Sequence, residues 1–209
     1  AHDLSLLIDA ARIAGRIATS FVGPQTACWE KNGGAGPVTA ADLAVNEMLQ
    51  GTLRSARPDY GWLSEESEDT DARLERDTVF IIDPIDGTRS FIEGRRTWAH
   101  SLAIAHQGII TAAVIYLPLR DKMFTAAKGQ GAALNRSPLR VSTQASLAGS
   151  QSLATKPTMQ PDHWPNGLPT FERAHRPSLA YRLSLVAAGA FDAMFTFRPS
   201  WEWDIAAGA

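Results

Sequence analysis

A chain of 209 residues with 44% apolar and 20% charged side chains can bury a full core in one large domain or two small ones, and is no candidate for disorder. Its formal charge of −2 and pI near 6.2 leave no broad basic field for a nucleic-acid polymer. The single cysteine, Cys28, excludes an internal disulfide or a cysteine-rich zinc site and fits a reducing compartment. With no apolar run of membrane-spanning length and an Asp-bearing N-terminus unlike a signal peptide, the expectation is a soluble cytoplasmic protein.

Residues 3–21 place Leu4, Leu7, Ile8, Ala11, Ala14, Ala18 and Phe21 on one helical face, and Gly23-Pro24 stops that helix. Lys31 to Pro37 reads as a mobile loop with nothing to hold it rigid. A second helix is predicted from about Thr39 to Ser55, with Leu43, Met48, Leu49 and Leu53 inward. Gly61–Ser64 is a short strand running straight into Glu65-Glu66, and the acidic stretch 66–77 is a solvated loop or short helix. Thr78–Ile82 is a buried strand that ends in Asp83-Pro84-Ile85-Asp86-Gly87-Thr88. Pro84 pushes Asp83 into an extended conformation, so the strand cannot run directly into a helix.

Two further strands, Thr97–His106 and Ile109–Tyr116, form a hairpin through Gln107-Gly108. Met123–Ala127 is a third, closed by the turn 128–131. Val141 ends this first region, giving an expected division into 1–141 and 142–209. In the second part a short strand lies around Ser152–Thr155, Ser178–Ala188 is helical with Gly189 at its stop, and Asp192–Phe197 is a strand. Trp201–Gly208 enters a new helix whose first turn is incomplete, which predicts a C-terminal portion beyond Ala209.

Glu65, Asp83, Asp86 and Asp204 each sit at the end of an apolar element. Carboxylates gathered there repel one another unless cations join them, and oxygen-only ligands favour Mg²⁺, Mn²⁺ or Ca²⁺ over zinc. Each acid alone also reads as a turn cap; two at the end of one strand with Glu65 after another favour the metal. The alternating acids of an EF-hand are missing, and the two aspartates are three apart rather than the two that an aspartate-nucleophile phosphatase needs. Gly87-Thr88 begins a short helix through Phe91, whose free amides suit a phosphate. Asp42 fits a capping box with Thr39. Two cations about 4 Å apart activate a water and neutralise both attacking and leaving oxygens, so in-line attack on phosphorus needs no covalent intermediate. None of the five histidines falls near these motifs; they read as structural or surface residues.

The segments VTAAD (38–42), WLSEES (62–67), IIDPIDGT (81–88) and EWDIAAG (202–208) together resemble the signature segments of the inositol monophosphatase superfamily, magnesium-dependent and lithium-sensitive phosphomonoesterases. The resemblance covers the whole chain and implies an α/β (α+β) fold, a layered αβαβα sandwich that continues past the WD segment. It implies that Glu65, Asp83 and the Ile85 carbonyl hold a first metal and Asp83, Asp86 and Asp204 a second, with two or three Mg²⁺ per site and Mn²⁺ possible. Gly87 and Thr88 would offer amides to the phosphate. Asp42 would bind the Thr88 hydroxyl, and Glu65 with Thr88 would orient the water.

The helix near 178–189 and the residues before the WD pair set substrate choice in this superfamily, which makes Ser178 and Arg182 candidate substrate contacts. A cation at 182 suits a second phosphate and, with Asp86-Gly-Thr-Arg89 and Glu202-Trp203-Asp204, is similar to the 3′(2′),5′-bisphosphate nucleotidase branch. Arg182 as a solvated helix residue is the alternative, and inositol 1-phosphate the alternative substrate. A catalytically silent regulatory relative would have lost a metal carboxylate, and none is missing here. The partners expected are a small phosphate ester, no nucleic-acid polymer, no membrane, and a second copy as a homodimer.

Overall fold

The computed structural model describes residues 2–21, 26–31, 33 and 36–209. The predicted stop at Gly23-Pro24, and Asn32, Gly34 and Ala35 of the predicted loop, lie outside them. In chain order come α1 (His2–Ser20), β1 (Cys28–Glu30), β2 (Pro37–Thr39), α2 (Ala40–Ala56), β3 (Gly61–Ser64), a 3₁₀ turn (Asp71–Glu75), β4 (Thr78–Asp86) and α3 (Thr88–Ile92). Strands β5 (Ala99–His106), β6 (Ile109–Leu117), β7 (Lys122–Ala127), β8 (Gly131–Leu134) and β9 (Ser137–Pro138) follow. The last part holds β10 (Gln151–Ala154), β11 (Glu172–Ala174), α4 (Leu179–Ala187), β12 (Ala193–Phe195) and α5 (Glu202–Ile205).

The main sheet is ordered β3-β4-β5-β6-β7-β8-β9, with β3 and β4 parallel and the rest antiparallel. Both its faces are covered, which is why β4 reads as a continuous apolar run rather than an alternating one. Phe80 and Ile82 join Leu102, Ile104 and Val114 under helices α1 and α2. Ile81 faces the other way, with Ala103, Ala105 and Ala206. Helix α1 buries a row of small residues, Ala10, Ala11, Ala14, Gly15 and Ala18. A Cβ on Gly15 would come within 2.7 Å of the Tyr116 ring, so the glycine allows the helix to sit close on β6.

In α2 the predicted inward Leu43 is 41% exposed. Ala41, Asp42, Val45, Leu49 and Leu53 take the inner face instead, and Leu43 lies two residues, about 200°, from Ala41 around the axis. Helices α4 and α5 cover the opposite face of the sheet. Beyond α4 lies a parallel three-stranded sheet, β11-β10-β12. The layers therefore run helix, sheet, helix, sheet. Ile115, Leu117 and Phe124 share one apolar cluster with Leu153, Tyr181 and Leu185, so the two sheets are joined by a common core across the expected division at 141. No helix among the described residues is long and apolar enough to cross a membrane.

Candidate active site

Strand β4 does not end at Ile82 as its composition predicts. It continues through Pro84 to Asp86, with a register shift against β5: Asp83 pairs with Ser101 and Asp86 with Ala99. Pro84 and Ile85 thus oppose the single residue His100, a two-against-one bulge placed where proline cannot donate to the ladder. His100 repairs it, its Nδ1–H donating to the Pro84 carbonyl at 2.5 Å. Burial drives the His100 pKa down to about 4, so the ring is neutral and keeps that donor at physiological pH. This corrects the expectation that the histidines stand apart from the motifs, as does His175, which lines the cleft described below.

The bulge turns Asp83 and Asp86 toward Asp204 at the start of α5. One carboxylate oxygen from each of the three lies within 4.8 Å of the others. Asp83 is buried and its Oδ1 has no hydrogen-bond partner. Burial first, and then the charges of Glu65, Asp86 and Asp204, push its pKa well above the usual carboxylate range. Burial also raises Asp86 and Asp204. Three converging acids with an orphaned buried oxygen fit a hard divalent cation, which removes the repulsion and the missing partner together.

Glu65 follows β3, its backbone N–H held by the Ile82 carbonyl at 3.1 Å, and it lines the same cleft. Its carboxylate is engaged by Lys31, whose Nζ lies 2.9 Å from Glu65 Oε1 and 2.6 Å from Glu66 Oε1. Burial lifts Glu66 to about pH 7 in spite of this lysine. The Lys31 N–H also donates to the Gly36 carbonyl at 2.8 Å, so the described ends of the predicted free loop are tied down.

After Asp86 the chain turns through Gly87 at φ 95°, the N-cap of α3, a backbone conformation that a side chain at this position would strain. The Thr88 hydroxyl lies 3.3 Å from Asp42 Oδ1 and 3.2 Å from the Ile85 carbonyl. Asp42 also completes the capping box of α2 with Thr39, so both readings of Asp42 hold at once. The Ser178 hydroxyl donates to Asp86 Oδ2 at 2.6 Å, as does the Ala180 N–H, and accepts the Tyr181 N–H at 3.0 Å. Its one proton is therefore committed to Asp86 rather than to a substrate. Arg182 is 5% exposed, its Nε donates to the Ser178 carbonyl at 3.4 Å, and its Nη1 has no partner. The reading of Arg182 as a solvated helix residue is thereby corrected.

Glu65, Asp83, Asp86, Gly87, Thr88, Ser178, Arg182 and Asp204 line one cleft of about 780 Å³, whereas Asp42 and Ile85 are not in its wall. Its other walls include Lys31, His175, Arg176, Arg198 and Trp201, none of which the motifs singled out as site residues. Their signal is three-dimensional, since Lys31 lies 34 residues before Glu65 and the cations are scattered among prolines. Only Trp201 stood beside a recognised segment.

A family model described as the inositol monophosphatase family matches residues 2–209. The chain is 38% identical over 185 residues to Nus factor SuhB of Pseudomonas aeruginosa, covering 82% of this chain and 67% of that protein. It is 33% identical over 219 aligned positions to inositol-1-monophosphatase of Rhizobium meliloti, covering 98% and 80%. Among solved structures it resembles the Thermotoga maritima IMPase with a TM-score of 0.86 at 28% identity, covering 100% of this chain and 81% of that one. The extragenic suppressor protein SuhB of Bartonella henselae gives 0.84 at 30%, covering 100% and 83%.

Proposed function

Because the chain belongs to the inositol monophosphatase family, we propose that its cleft hydrolyses a small phosphate monoester carrying a second anionic group, a 3′(2′),5′-bisphosphate nucleotide ahead of inositol 1-phosphate. The protein is a phosphomonoesterase, and the choice of ester rests on one observation. Arg182 carries a buried, unpartnered guanidinium N–H in the wall of the cleft. Leaving such a donor unsatisfied costs about 1–3 kcal/mol or more, and an anion on the substrate removes that cost. The relatives named above are SuhB proteins and inositol-1-monophosphatases, so the nucleotide is argued from this arginine and not from them.

The geometry supports the following roles. Asp83, Asp86, Asp204, Glu65 and the Ile85 carbonyl would hold Mg²⁺, which when bound supplies charge neutralisation on the phosphoryl oxygens and a water acidified for attack. Thr88, fixed between Asp42 and the Ile85 carbonyl, would hold the attacking water together with Glu65. The Gly87 and Thr88 amides receive the phosphate oxygens, and Ser178 keeps Asp86 aimed at the cleft.

The test is kcat/KM for adenosine 3′,5′-bisphosphate against inositol 1-phosphate with the full-length protein in Mg²⁺. The bisphosphate is expected to win, and Arg182→Asn to narrow the gap. Equal or reversed preference in the parent protein overturns the substrate assignment and leaves the phosphomonoesterase standing.

A further inference from the structure

We propose that Trp201 is a stacking platform for a planar heteroaromatic leaving group, a nucleobase, at the mouth of the phosphate cleft. The inference rests on the cleft being the hydrolytic site, and it names the group on the far side of the phosphate independently of Arg182. Trp201 is 62% exposed, an unusual position for the largest side chain. It is nevertheless held rigidly. Its ring stacks on Trp203 with centroids 4.9 Å apart and planes at 15°. Trp203 in turn packs against the cluster of Leu63, Ile81 and Ala206, and its carbonyl accepts the Ser101 hydroxyl at 3.1 Å.

The backbone of Trp201 is bound to the metal-site acid itself. Its N–H donates to Asp204 Oδ2 at 2.9 Å, and its carbonyl accepts the Asp204 N–H at 3.1 Å. The indole therefore has one face against Trp203, one open face and a backbone tied to the acid cluster. Both indoles line the cleft, and Pro177 and Pro199 line it with them. The open indole face itself offers no hydrogen-bond partner to the hydroxyls of a polyol, whereas any base offers a π-face to it, and Arg176 and Arg198 in the same cleft wall bring cations beside it. Trp has only two side-chain torsions, so little order remains to be imposed on binding.

The experiment compares adenosine 2′-monophosphate with inositol 1-phosphate, each carrying a single phosphate, on the full-length protein in Mg²⁺. Wild type, Trp201→Phe and Trp201→Ala are assayed. Trp201→Ala is expected to raise KM for the nucleotide about thirtyfold, the middle of what one base–aromatic stack contributes, with kcat and the inositol 1-phosphate KM unchanged. Trp201→Phe keeps most of the wild-type KM. The nucleotide also quenches indole emission in wild type and less in Trp201→Phe. An equal change for both substrates, or an unchanged nucleotide KM, overturns the proposal. Preference for adenosine 3′,5′-bisphosphate over the monophosphate, measured in the same series, reads Arg182 separately: its absence beside an intact Trp201 effect defeats the second-phosphate reading alone.

Discussion

Asp83 illustrates how one side chain can be costly to fold and necessary to function. It is buried, one oxygen is unpartnered, and the neighbouring charges all oppose its ionisation. Asp83→Asn removes the proposed shared metal ligand and the repulsion together. Turnover is expected to vanish on every phosphate ester, while the melting temperature in EDTA is expected to equal or exceed that of wild type. An assay showing retained activity would refute the metal-centred mechanism. Arg182 and Lys31 mark what single residues hide in a sequence. Their types are visible, but a basic residue in a helix or loop is normally solvated. Only the fold shows Arg182 buried with a free donor and Lys31 clasped between Glu65 and Glu66.

Among the elements, β4 carries most of the design, and it was legible as far as Ile82. Its apolar run, the acids three apart and the glycine after them all announced a strand delivering ligands. The continuation through Pro84 was not legible, because the group that satisfies the Pro84 carbonyl comes from a histidine 16 residues away. Short strands such as β1, β2, β8, β9 and β11 escaped notice for a related reason: they are too short to show a period, and ladder partners define them. The bulge makes a prediction. His100→Phe keeps ring packing against Trp98 but leaves the Pro84 carbonyl without a donor, at about 1–3 kcal/mol.

The pH dependence of the same ring has a definite sign. Its folded pKa of about 4 lies below the ordinary 6.5, so the unfolded chain takes up the proton first as pH falls. Its contribution is present above pH 6.5 and is lost between 6.5 and 4, on the order of 2 kcal/mol between pH 7 and 5. Comparing melting temperatures at pH 7 and pH 5 checks this, and the difference should shrink in His100→Phe. Ser178 offers a second element-scale test. It caps α4 with φ at 67°, strained for a serine. Ser178→Ala loses the cap and keeps the strain, for about 1–3 kcal/mol, whereas Ser178→Gly relieves the strain and is the milder change in denaturant titrations.

At the scale of the molecule, the site lies where three of the four layers meet. β3 and β4 supply Glu65, Asp83 and Asp86 from the main sheet, α2 supplies Asp42, and the α4–α5 region supplies Ser178, Arg182 and Asp204. Cation binding should therefore stabilise the whole assembly rather than one loop. Mg²⁺ at a hundred times its dissociation constant is expected to raise unfolding free energy by about 2.7 kcal/mol over EDTA. Thermal scans of wild type should show this gain, and Asp83→Asn should show none. The four motifs made the family's layers predictable. Lys31, His175, Arg176, Arg198 and Trp201 in the cleft wall were not, since they come from irregular segments brought together only in the folded chain.

One consequence concerns the order in which the protein is made. Asp86 finds its hydroxyl and amide donors 92 and 94 residues further along the chain. On the ribosome the bulged strand emerges long before the helix that will hold it. Until Ser178 and Asp204 arrive, the early acids stand as an open, self-repelling group with no cap and no third carboxylate. A stalled or clipped chain is then unable to form the Asp83–Asp86–Asp204 cluster, so cation binding at the proposed site would be a molecular record that synthesis has passed the α5 turn.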